Sequence, residues 1–74
     1  MLEHKFTKKS KTLELTTDAA FKYCTQVSDL LVDNGYEVIE VRRIDCGAAH
    51  KIFVVCTETD IEKIVEYCKM AFEV

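Results

Sequence analysis

His50-Lys51-Ile52-Phe53-Val54-Val55-Cys56-Thr57 is the longest apolar run of the chain, and Ile52, Val54 and Val55 are β-branched. A small-residue loop, Asp45-Cys46-Gly47-Ala48-Ala49, precedes it, and Thr59-Asp60-Ile61-Glu62 follows it. A short run bounded in this way reads as a strand buried on both faces, and such a strand belongs at the centre of a sheet.

Working back from it, the small residues 45–49 suit a hairpin connection. Before them, Tyr36 to Ile44 alternates as a second strand. Ile39 and Val41 share one face; Tyr36, Val38, Glu40, Arg42 and Ile44 share the other. Asn34-Gly35 ends a helix, because glycine tolerates the left-handed conformation of a C-terminal cap. Ala20, Tyr23, Cys24, Val27, Leu30 and Leu31 form that helix's apolar stripe, and Thr16-Thr17-Asp18 reads as its start. Thr12 to Thr16 alternates with period two, so Leu13 and Leu15 point inward from a further strand. Working forward, Thr59 and Glu62 match a capping box, and Ile61, Ile64, Val65, Cys68, Ala71 and Phe72 make the stripe of a second helix.

The order strand, helix, strand, strand, helix (β-α-β-β-α) predicts an α+β fold. Its sheet is three-stranded and antiparallel, in spatial order 1-3-2, with two helices on one face. Over residues 12–74 this topology resembles a truncated ferredoxin-like fold that lacks its last strand. The resemblance lies in topology alone and brings no function with it. Residues 1–11 are set apart as a basic N-terminal arm, either disordered or paired as a strand, and 12–74 as a single domain.

The chain has 74 residues, 49% of them apolar. A domain this small hides only ~60% of the surface its unfolded chain exposes. Some of that apolar content is therefore expected to meet a partner. No run approaches the ~20 apolar residues of a membrane span, and the N-terminus lacks a secretory apolar segment, so the expected location is cytoplasmic. Three of the four cysteines, Cys24, Cys56 and Cys68, fall at apolar positions, which favours free thiols over a disulfide framework. Net charge is −3: residues 1–11 carry four lysines against Glu3 alone, and the other 63 residues sum to −6.

Three strands cannot be covered on both faces by two helices. If Ile44 pairs with Lys51, then Val41 lies opposite Val54 and Ile39 opposite Cys56, all beneath the helices. The open face then carries Tyr36, Val38, Glu40, Arg42, Phe53, Val55 and Thr57. Exposed apolar groups gathered together mark interaction sites. Partner binding, including a homodimer, is favoured over an arm that folds back to cover this face with Phe6 and Leu2.

Candidate chemistry is sparse. Cys46-Gly47 with His50 nearby could hold a reactive thiol, and the loop layout is similar to small sulfur-carrier proteins with a Cys-Gly in such a turn. A plain hairpin loop is the simpler reading. His4, His50 and Cys46 are the only set resembling metal ligands, and neither metal nor cofactor is expected. The carboxylates read as solvated helix faces. Lys5, Lys8, Lys9, Lys11, Arg42, Arg43 and Lys51, with Tyr36 and Phe53, could engage single-stranded nucleic acid. The acidic body disfavours it. The expectation is a small non-enzymatic protein-binding module (a regulator, subunit or phage-type inhibitor) using an open sheet face or an edge strand. The alternatives are a thiol-dependent carrier or enzyme using Cys46, and a nucleic-acid binder.

Overall fold

The computed structural model describes residues 2–44 and 49–72. Strands β1 (Leu2–Thr7) and β2 (Thr12–Thr17) are joined by the turn Lys8-Lys9-Ser10-Lys11 and lead into α1 (Phe21–Asp33). Strands β3 (Glu37–Arg43) and β4 (His50–Val55) follow, then a single 3-10 turn at Glu58–Asp60 and α2 (Ile61–Phe72). The four strands form one antiparallel sheet in the order β1-β2-β4-β3.

The α+β class stands, but the three-stranded sheet does not. Leu2-Glu3-His4-Lys5-Phe6-Thr7 pairs along its whole length with β2, from Leu2 opposite Thr17 to Thr7 opposite Thr12. The truncated ferredoxin-like plan is corrected accordingly: the edge it leaves open beside residues 12–17 is filled from the N-terminal side. Alternation explains the strand. Leu2 and Phe6 lie on the core side, while Glu3 and Lys5 point to the other face. The basic residues that follow are the turn itself, where Lys11 adopts a left-handed φ of 52°. The turn is anchored to the approach to α2: Cys56 N–H donates to the Lys11 carbonyl at 3.0 Å, and Lys8 Nζ lies 3.3 Å from Glu58.

The core lies between the sheet and the two helices. Leu13 and Leu15 of β2 and Ile52 and Val54 of β4 meet Cys24, Val27 and Leu31 of α1, and Ile64 and Cys68 of α2, all with no exposed surface. Each buried Leu, Ile or Val contributes about 1.5–3 kcal/mol of apolar transfer. The α1 stripe is narrower than its periodicity predicts, since Ala20, Tyr23 and Leu30 are exposed. Helix α1 lies against β3 and β4, whereas α2 lies against β1 and α1.

Both helix starts differ from expectation. Strand β2 runs on through Thr17, whose side chain is buried and whose Oγ1 accepts from Ala19 N–H at 3.1 Å. Helix α1 therefore begins at Phe21, with no side-chain cap. The Thr59–Glu62 capping box is replaced by the 3-10 turn, in which Thr57 Oγ1 donates to Asp60 Oδ2 at 2.6 Å. The α1 C-terminus is a full Schellman motif. Gly35, at φ 88°, donates to Val32 O, and Tyr36 N–H donates back to Leu31 O.

The register between β3 and β4 holds the main correction. Val41 faces Ile52, Arg42 faces Lys51, and Arg43 faces His50; beyond Glu40, opposite Phe53, the pairing shifts so that Val38 faces Val54. Ile39 is the extra residue of a β-bulge, and one extra residue inverts the alternation of everything before it. Val38 and Tyr36 therefore turn toward the core instead of the open face, and Ile39, expected beneath the helices, is 57% exposed.

Candidate functional site

Four surface features could carry function: the uncovered sheet face, the two sheet edges, the His50 region and the thiols. On the uncovered face, Phe53 and Val55 are half-buried at the centre, flanked by Glu14 and Lys51, with Glu40 and Arg42 on β3. Of the residues expected there, Glu40, Arg42, Phe53 and Val55 remain, and Tyr36 and Val38 have left it through the bulge.

The remaining face is largely satisfied by its own charges. Lys51 Nζ pairs with the Glu14 carboxylate, each side chain little more than a quarter exposed. The Arg42 guanidinium lies 5.7 Å from the Phe53 ring centroid and covers the aromatic surface that would otherwise stack a base. A shallow hollow of about 200 Å³ lies toward β1, lined by Glu3, His4, Lys5, Glu14 and Thr16. Its five lining residues all carry polar side chains.

The edges differ in kind. Strand β3 closes one side of the sheet and is kinked by the Ile39 bulge, a device that blunts an edge against further pairing. Strand β1 closes the other side. It pairs with β2 in one unbroken register, and Glu3, His4 and Lys5 are all exposed. Its outward main-chain donors and acceptors form a regular row that pairs with no other described strand.

His50 begins β4 opposite Thr17 and Arg43, is 6% exposed, and has its ring 6.0 Å from that of Phe21. Its Nδ1 is buried without a hydrogen-bond partner among the described residues. The pairing of this imidazole with Cys46 lies outside the described residues. Cys24, Cys56 and Cys68 are free and buried. Burial pushes all three thiols up, with the Asp60 carboxylate adding to the effect at Cys56. Cys68, further raised by the neighbouring Cys24, reaches about 12. These thiols stay protonated and unreactive at neutral pH. Burial, followed by the facing Asp60 carboxylate, likewise pushes the Tyr36 phenol up.

Among the described residues, no group of three or more His, Cys, Asp or Glu side chains could hold a metal ion. None of the described helices is long and apolar enough to cross a membrane. Sequence reasoning left residues 1–11 as an arm, either disordered or paired as a strand, although Leu2, His4 and Phe6 alternate with Glu3 and Lys5 as strand β1 requires. No protein-family model matches the chain, and neither a curated protein nor a solved structure matches it at a significant level.

Proposed function

We propose that this chain is a small non-enzymatic module that binds protein by β-strand addition, taking an extended segment of another chain onto the outer edge of β1. One observation carries the reading: β1 is a regular six-residue strand whose far side pairs with no other described strand, while the opposite edge is blunted by a bulge. Strand addition supplies main-chain hydrogen bonds for affinity, and alternate side chains select the partner. Here those selectors are Glu3 and Lys5 on one face and Leu2, His4 and Phe6 on the other. Glu40, Arg42, Phe53 and Val55 extend the same side of the sheet and suit secondary contacts.

Affinity capture followed by mass spectrometry, then hydrogen exchange on the reconstituted complex, tests this. The expected result is slowed exchange of amides within Leu2–Thr7 when the captured protein is added. Protection confined to other elements would overturn the edge reading. A Cys46→Ser change that abolishes the biological effect while leaving partner binding intact would replace it with thiol chemistry.

A further inference from the structure

The outer edge of β1 fits a second copy of itself. We infer that the chain forms a two-fold dimer in which β1 pairs antiparallel with β1 of the second copy, centred on His4, making one continuous sheet. This inference rests on the edge-binding reading above and names the partner.

Geometry limits the registers. In an antiparallel pair, directly opposite residues share a face of the sheet. A two-fold axis normal to the sheet keeps each residue on its own face in both copies. Only registers that oppose residues of the same parity are then possible, so the axis must pass through a residue and not between two. Centring on Glu3 sets glutamate against glutamate, and centring on Lys5 sets lysine against lysine. Centring on His4 avoids both. Glu3 then faces Lys5 of the second copy, Lys5 faces its Glu3, and Leu2 and Phe6 face each other across the axis. Each copy thus contributes one opposite-charge pair on the open face and one apolar pair on the core face, where Leu2 and Phe6 are already half-buried.

Helix α2 lies against β1, and adjacent strands are ~4.8 Å apart. In the dimer the α2 helices of the two copies therefore flank the new β1–β1 seam on the same side of the sheet. The β3 edge offers no equivalent, because its bulge breaks the regular row.

Sedimentation equilibrium over a concentration series, on the full chain, reads the dimer directly. Glu3→Lys and Lys5→Glu each turn both symmetry-related attractions into repulsions, and each should weaken association at least about ten-fold. The combined swap Glu3→Lys/Lys5→Glu restores complementarity with unchanged composition and should recover wild-type association to within about three-fold. Circular dichroism of each variant separates lost pairing from lost folding. A wild type that stays monomeric at high concentration overturns the dimer, as do single reversals without effect or a double swap that fails to rescue. If the dimer fails while a captured protein still protects the β1 amides, edge binding stands with a different partner. If β1 is protected in neither case, both readings fall.

Discussion

Cys68 shows how much of this molecule's chemistry is set by one side chain's surroundings. Its thiol has no exposed surface and is pushed up to about 12, first by burial and then by Cys24. A thiol whose folded value lies above its unfolded one stabilises the fold fully below the unfolded value near 9.0. That contribution is lost as pH rises from there through about 12. The slope is about 1.4 kcal/mol per pH unit for one such group. Cys24, Cys56 and Tyr36 shift in the same direction. Urea unfolding from about pH 8 to about pH 11 should therefore show a steepening loss of stability; Cys68→Ala should reduce the slope at a cavity cost of ~1–3 kcal/mol. A stability profile flat to the alkaline end would contradict the burial of these groups. The thiol positions were legible because each sits on an apolar stripe of a clear period. The environment of His50 was not: opening the central strand, it reads as a loop-end residue, and only the approach of Phe21, Thr17 and Arg43 encloses it.

The bulge in β3 turns a strand-level irregularity into a surface property. Without Ile39, Val38 opposite Val54 would be followed directly by Glu40 opposite Phe53, giving an unbroken ladder with every remaining side chain on its present face. Deleting Ile39, an exposed residue, should leave the protein folded with its unfolding free energy changed by about 1 kcal/mol or less. It should also leave β3 a straighter edge, more prone to association. Deleting Val41 instead breaks the phase where both faces are committed, and should cost several kcal/mol, roughly 3 or more. Denaturant titration of the two deletions side by side distinguishes them; equal losses would argue against the bulge. The sequence carries a trace of it, since Val38-Ile39 is an apolar doublet inside an alternating strand. A doublet, however, does not say which of its members leaves the ladder. Strand β1 was legible in its alternation, but lysines at 8, 9 and 11 disguised a turn as the continuation of a charged arm. The left-handed residue of that turn is Lys11, where glycine or asparagine would have announced it.

At the level of the whole molecule, the α+β class and the central placement of residues 50–57 follow from the run of β-branched residues and the two helical stripes. The width of the sheet does not, because it depends on whether an N-terminal segment finds its edge. The final architecture is two consecutive hairpin-and-helix halves joined along the β2–β4 seam, and the helices are crossed over: α1 rests on the second half's strands, and α2 reaches the first half's outer strand. Each half is thus a clasp for the other. A peptide ending at Asn34 and one beginning at Gly35 should each be largely unstructured alone, since an isolated hairpin is marginal in water and its helix has nowhere to dock. Mixed in equal amounts, they should regain helix and sheet signals together in one concentration-dependent transition. Folding of either fragment by itself would mean that the interlock is dispensable. If it is not, a break in the Asn34–Gly35 link converts a self-contained protein into a binary system, whose assembly can be set by the supply of either piece.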